Sequence, residues 1–264
     1  MAFKNKVIWI TGASSGIGEA LVHALHERGA RLILSSRREE VLEEVKQNCP
    51  VRREYIHILP LDLAETGQLK QKARQALGFY GAIDYLFNNG GISQRSLAVD
   101  TNAEVLRNVM EVNFFGTVAL TRAVLPSMIE RQKGHIVVTS SVMGKFGTRL
   151  RSGYAASKHA LHGYFDCLRQ EMHEYNIQVS LVCPGFVKTD VTRNALEGDG
   201  SKHNKMGKGQ QHGMPPGELA EKLLPKIAAG KKEIYIGGRE IAGIYLKRWA
   251  PGLLDRVLRN TDVT

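Results

Sequence analysis

Short apolar runs rich in Val and Ile alternate along the chain with longer stretches whose apolar residues recur at helical spacing. The runs predict strands at 6–11, 31–36, 55–60, 83–87, 135–140, 178–183 and 233–236. Helical patterns fill the intervals at about 16–28, 39–48, 65–80, 103–112, 114–131, 153–175 and 217–229. Strands that are apolar on both sides need cover on both faces, as parallel sheets with crossover helices have. The alternation runs on without a Pro/Ser-rich linker or an internal repeat. It predicts an α/β fold: one doubly wound domain over residues 1–264, with a seven-stranded, mostly parallel sheet and helices on both faces.

Two segments depart from this rhythm. Residues 191–214 hold five Gly and several charges with little periodicity, and Pro215-Pro216-Gly217 follow. They come after a predicted strand, at the edge where open α/β sheets bind ligands. A substrate loop over about 191–216, mobile enough to act as a lid, is therefore expected. The C-terminal extension, about 239–264, mixes Ile244, Leu246, Trp249, Leu253, Leu254, Val257 and Leu258 with Lys247, Arg248, Arg256 and Arg259. The expectation there is a helix that closes the pocket or packs on a partner subunit, with an amphipathic membrane-surface helix as the alternative.

Composition narrows the class. The 264 residues are 43% hydrophobic and 23% charged, which excludes disordered and collagen-like chains. Cys49, Cys167 and Cys183 are widely spaced and form no CxxC pair, so reduced thiols in a cytoplasmic protein are expected. The apolar run after the basic start, Val7-Ile8-Trp9-Ile10, is too short for a secretory core, and no segment is expected to span a membrane. A formal charge of +10 raises nucleic acid as a partner. The basic residues form no long run and no RNP-like or zinc-finger pattern, so nucleic acid is not expected. Between Arg131 and Phe165, however, six basic residues stand without an Asp or Glu, a field that attracts a phosphate-bearing small molecule.

The first candidate chemistry is a glycine turn, Thr11-Gly12-Ala13-Ser14-Ser15-Gly16-Ile17-Gly18, placed between a predicted strand and a predicted helix. Gly12 permits the tight turn, Gly16 lets a backbone approach a pyrophosphate, and Gly18 allows close helix–strand packing. The helix start then offers unpaired N–H groups and a positive dipole end to the anion. That context points to a Rossmann-type dinucleotide site. NAD-preferring sites carry an acid at the end of the second strand, but here Ser35-Ser36 are followed by Arg37 and Arg38. Two guanidiniums can pair with a 2′-phosphate, so NADP(H) is expected in preference to NAD(H).

The second is Tyr154-Ala155-Ala156-Ser157-Lys158, where the phenol and the amine share one helical face. An adjacent ammonium favours the phenolate and is expected to lower the phenol pKa towards the working range. Ser141 follows the fifth predicted strand thirteen residues before Tyr154.

Together these residues resemble the short-chain dehydrogenase/reductase family, over nearly the whole chain. The resemblance extends to Asp62-Leu63, Asn88-Asn89-Gly90-Gly91, Asn113 and Pro184-Gly185-Phe186-Val187-Lys188-Thr189. It implies a catalytic tetrad of Asn113, Ser141, Tyr154 and Lys158, with Asn113 positioning a water in the proton relay. It further implies cofactor contacts from Gly12, Ser14, Ser15, Gly16, Ile17, Gly18, Asp62, Leu63, Asn89, Gly90, Gly91, Pro184, Gly185, Val187 and Thr189, besides Tyr154 and Lys158. One departure is Gly90 where the family usually has Ala. The segment from Asn88 to Ser96 and Met128-Ile129-Glu130-Arg131 look closest to the branch of family member 7, near the retinoid and hydroxysteroid reductases.

The implied reaction is hydride transfer between NADP(H) and a carbonyl or alcohol of an apolar or lipid-like small molecule. Val142, Met143, Phe146 and Phe186 should line the pocket, with Gln94, Arg95 or Lys145 free for a polar group. Two alternatives stay open: a reductase of β-ketoacyl groups on an acidic carrier, and a nucleotide-binding redox sensor without catalysis. The pairs His159/His162 and His23/His26 lack metal-ligand context, so no metal is expected. Ala156, Ala160, Tyr164 and Leu168 form a stripe that is either core or subunit-facing, and a homodimer or homotetramer is expected.

Overall fold

The computed structural model describes residues 2–205 and 207–260. Met206 and residues 261–264, which belong to the expected substrate loop and C-terminal extension, lie outside the described residues. Seven strands form one sheet in the order β3-β2-β1-β4-β5-β6-β7, and every neighbouring pair is parallel. They are β1 Val7–Thr11, β2 Arg31–Ser35, β3 Ile56–Ile58, β4 Tyr85–Asn88, β5 Gly134–Thr139, β6 Ile177–Pro184 and β7 Glu233–Ile236. The main crossover helices are α1 Gly16–Glu27, α2 Glu39–Gln47, α3 Leu69–Tyr80, α4 Ala103–Met110, α5 Thr117–Glu130 and α6 Ser152–Glu171. Beyond them come a short α7 Lys208–Gln211, then α8 Pro216–Ala228, α9 Ala242–Trp249 and α10 Pro251–Asn260.

Strand β1 shows why the apolar runs do not alternate with polar residues. Ile8 and Ile10 enter the layer beneath α1 and α8 with Leu21, Leu25, Leu223 and Ile227. Val7 and Trp9 enter the opposite layer with Leu125, Leu161 and Phe165. Every residue of the strand is buried, as a strand covered on both faces requires. Strand order reverses between β1 and β4, and their carboxyl ends open the crevice where such sheets bind ligands.

The two helices expected at 103–112 and 114–131 are one continuous helix. A π-helical turn, Glu111–Gly116, joins α4 to α5 and shifts the apolar phase, which made the sequence read as a break. By length and composition alone this joined run, Ala103–Glu130, could cross a membrane, an 18-residue window in it having mean hydropathy 1.3, where no segment of that kind was expected. Half of its apolar window is buried inside the domain, and α5 packs on α3.

The described residues of the 191–214 segment are hydrogen-bonded to the loops after β4 and β6. Leu196 N donates to Ser93 O (2.9 Å) and Arg95 N to Leu196 O (2.8 Å), while Met214 N donates to Phe186 O (2.9 Å). Thr192 and Ala195 of this segment are buried. The C-terminal extension is two helices, α9 and α10. Ile244 and Leu254 on their inner side form a third core cluster with Val142 and Phe146.

Candidate active site

The glycine turn closes against the end of β4. Gly12 has φ +65°, and Gly18 leaves room for the turn itself: a Cβ there would overlap the Gly12 carbonyl oxygen and come within 2.8 Å of Asn89 Nδ2. Asn89 Nδ2 donates to the carbonyls of Thr11 and Gly12 at 3.3 and 3.4 Å. The Thr11 hydroxyl in turn accepts from the backbone N–H groups of Asn89 (3.1 Å) and Gly90 (3.0 Å). Leu63 fills the space an alanine at position 90 would take, its Cδ1 lying 2.8 Å from the Cβ that Gly90 lacks. Asp62 caps its own turn by accepting from Ala64 N at 3.0 Å.

These features fit a dinucleotide. Ser15 precedes the twelve-residue α1 without making a side-chain cap, so the helix start keeps its donors for an anion. A groove of about 580 Å³ runs from there along α1 towards α8; Ser15, Gly16, Lys188 and Thr189 line its end at the turn, and Glu19, Glu27, Asp190 and Glu221 make the rest of it acidic. Arg37 and Arg38 are exposed just past the end of β2, and no carboxylate ends that strand. The segment after β6 is fixed by a residue the sequence did not mark. Glu240 Oε1 accepts from Phe186 N and Gly238 N, both at 2.9 Å, and fills the space where Gly185 lacks a Cβ. Phe186 packs its ring on Gly209, and Val187 pairs with Met214.

The tetrad residues gather beyond the carboxyl ends of β4 and β5, next to the glycine turn. Ser141 ends the β5 edge, and its Oγ accepts from Met143 N at 3.1 Å. The Ser141 hydroxyl lies near enough to the Tyr154 phenol to favour its ionised form. Lys158 Nζ lies 5.7 Å from the Tyr154 ring centroid and donates to Thr139 O at 2.8 Å. Gly91 admits this group: a Cβ there would stand 3.6 Å from Lys158 Nζ and 2.9 Å from Asn113 Oδ1.

One expectation changes here. Burial pushes the Tyr154 phenol above its ordinary pKa, opposed by the Ser141 hydrogen bond and the nearby Arg151 charge. The expected depression is absent because burial outweighs the nearby charge, and burial pushes Lys158 itself down to about 8. Asn113 sits in the π-helical turn with its side chain fully engaged. Nδ2 donates to Ile92 O and Ser157 Oγ, both at 2.9 Å, and Oδ1 accepts from Ile92 N at 2.8 Å. Its side chain therefore ties the loop after β4 to α6.

The expected substrate pocket also rearranges. Gln94 is fully buried; its Nε2 donates to Ser96 O and Oγ, and its Oε1 accepts from Gly153 N at 3.2 Å. It caps α6 and is not free for substrate. Lys145 is paired with Glu233 at 2.6 Å and is likewise committed. Val142, Met143 and Phe146 form the wall between Ser141 and α9. Arg95 borders a second groove with Leu150, Glu197 and His203.

Two further groups were not legible in sequence. Arg151, at the start of α6, is only 6% exposed and donates to Ser93 Oγ (2.8 Å) and Gln94 O (3.1 Å); burial pushes it down to about 10. Behind α6, His162 Nε2 meets Ser140 Oγ at 3.0 Å, and Ser140 reaches Lys158 O at 3.4 Å. His162 is gathered with Asp166 and Glu233 instead of His159, but Lys145 and Arg169 already neutralise those carboxylates.

Comparison with known proteins agrees with this geometry. The short chain dehydrogenase family model matches residues 6–200. The chain is 40% identical to dehydrogenase/reductase SDR family member 7B of Bos taurus, over 97% of this chain and 81% of that one. A short chain dehydrogenase/reductase from Burkholderia phymatum in complex with NAD superposes with a TM-score of 0.83 at 24% identity, covering 96% of each chain. One from Burkholderia cenocepacia in complex with NADP does so at 0.80 and 25% identity, covering 98% of this chain and 99% of that one. The chain belongs to the short-chain dehydrogenase/reductase family of oxidoreductases.

Proposed function

We propose that the protein interconverts a carbonyl and an alcohol on an apolar or lipid-like small molecule with NADP(H), which it prefers over NAD(H). The observation that carries this reading is the convergence of Ser141, Tyr154 and Lys158 beside the glycine turn, at the sheet's switch point. The bound nucleotide supplies or accepts the hydride at the reacting carbon. Tyr154, held protonated by burial, donates its proton to the oxygen of the carbonyl being reduced. Ser141 donates its hydroxyl proton to the same oxygen while its Oγ accepts from Met143 N. Lys158 keeps a positive charge close to the ring, and Thr139 O aims it. The apolar wall of Val142, Met143 and Phe146 favours a substrate without a strongly polar body. A cytoplasmic setting and a homodimer or homotetramer belong to the same proposal; the free thiols of Cys49 and Cys183 support the first.

Cofactor preference is tested by exchanging the pair Arg37 and Arg38 for Ala. The variant should lose affinity for NADPH by at least about tenfold, given charge-assisted contacts worth 1.5–3 kcal/mol each, while binding NADH as before. Equal use of both nucleotides by the parent chain would reject the preference.

The acid–base assignment has a pH consequence. Reduction needs the Tyr154 proton and the Lys158 charge together. The phenol titrates above its ordinary range while Lys158 titrates at about 8, so the amine is the first to be lost as pH rises. The kcat/KM for NADPH reports groups of the free enzyme. It should be level below neutrality and fall above about pH 8. A profile that stays level to pH 10 would contradict the role of Lys158.

A further inference from the structure

The outer side of the C-terminal helix pair is unlike the rest of the surface. Tyr245 and Trp249 on α9 and Leu253 and Val257 on α10 follow one another at four-residue intervals, and they are 56%, 82%, 48% and 42% exposed. Their inner neighbours Ile244 and Leu254 are buried against Val142 and Phe146, so the pair is packed on the domain and its apolar stripe still faces outward. Exposed Lys247, Arg248, Arg256 and Arg259 flank the stripe, with Asp255 as the acid on these two helices. Tyr245 leans edge-on against Tyr235, which fixes the start of the stripe.

We infer that the outer face of α9 and α10 docks on the surface of an anionic phospholipid bilayer. Aromatic and aliphatic side chains with a rim of cations are what an interfacial helix needs: the apolar stripe enters the acyl boundary while the cations meet lipid phosphates. An indole as exposed as that of Trp249 is costly in water and favoured at the headgroup level. Charge argues against a second copy as the occupant. A two-fold interface would set this patch against itself and oppose four cations to four cations, with one carboxylate on each side. The overall charge of +10 adds attraction to an anionic surface. Docking does not depend on the reaction proposed above. It does place the wall of Val142 and Phe146 one helix layer from the lipid.

The test uses the full chain without substrate or nucleotide. Vesicles of phosphatidylcholine with phosphatidylglycerol should sediment at least about tenfold more protein than phosphatidylcholine alone, and added salt should reduce the binding. The chain has two Trp, and Trp9 is fully buried with its indole on Ser35, so a blue shift of emission on binding reports Trp249. The double substitution Trp249→Ser with Leu253→Ser leaves the inner contacts of Ile244 and Leu254 untouched. It should abolish vesicle binding and keep the thermal midpoint and the subunit number in light scattering. Binding retained by that variant would overturn the proposal, as would no binding by the parent chain. A drop in subunit number on substitution would instead make this face a contact between copies and would overturn it equally.

Discussion

Tyr154→Phe is expected to lower carbonyl reduction by about 10²- to 10⁴-fold, the usual contribution of a positioned general acid. Only the phenolic oxygen is removed, and the ring that Lys158 approaches at 5.7 Å is kept. Nucleotide affinity should therefore stay at the parent value, because the glycine turn, Asn89 and the helix start are untouched. Ser141 keeps the hydrogen bond its Oγ accepts from Met143 N, so the fold should not shift. Steady-state turnover with a panel of apolar ketones and aldehydes, beside a nucleotide titration, separates the two effects. Comparable turnover in the variant would remove Tyr154 from the chemistry. Loss of nucleotide binding would make its role structural.

Gly18→Ala should have the largest effect on the scaffold. The added methyl would overlap the carbonyl oxygen of Gly12 and press on Asn89 Nδ2, and both atoms belong to backbone or to a clamped side chain. Overpacking of this kind costs about 1–3 kcal/mol, and the thermal midpoint should fall by several degrees. Because the strain is released by moving α1 away from the turn, nucleotide affinity should fall with it. Gly78→Ala is the matched control: Gly78 is exposed in α3 with open space around it. A helical Gly→Ala exchange there should stabilise by up to about 1 kcal/mol. If Gly18→Ala melts with the parent chain and binds nucleotide equally, the close packing of turn and helix is not what holds the site.

Much of this architecture was readable before the coordinates. Strand β1 is apolar at consecutive positions because it is covered on both faces, and β2, β4 and β6 nearly repeat the pattern, while the edge strands β3 and β7 are only half-buried. The glycine turn and the Tyr154–Lys158 spacing are local, so the sequence carries them whole. What it missed depends on partners far along the chain. Gln94 looked like a free polar group, but its oxygen is taken by Gly153, 59 residues away. Lys145 looked available until Glu233, 88 residues on, claimed it. Burial has the same non-local origin: the elements closing over Tyr154 and Lys158 reverse the expected direction of the phenol pKa. The break expected near Asn113 was a real phase shift, yet only the structure shows that a π-helical turn produces it.

The most direct test of the account follows the hydrogen itself. NADPH deuterated at C4 is incubated with an accepted ketone, and the alcohol formed is weighed by mass spectrometry alongside the product of Tyr154→Phe. The account predicts one deuterium on the carbinol carbon with the parent chain and almost no product with the variant. Product without deuterium from either C4 face, or equal product from both proteins, would contradict it.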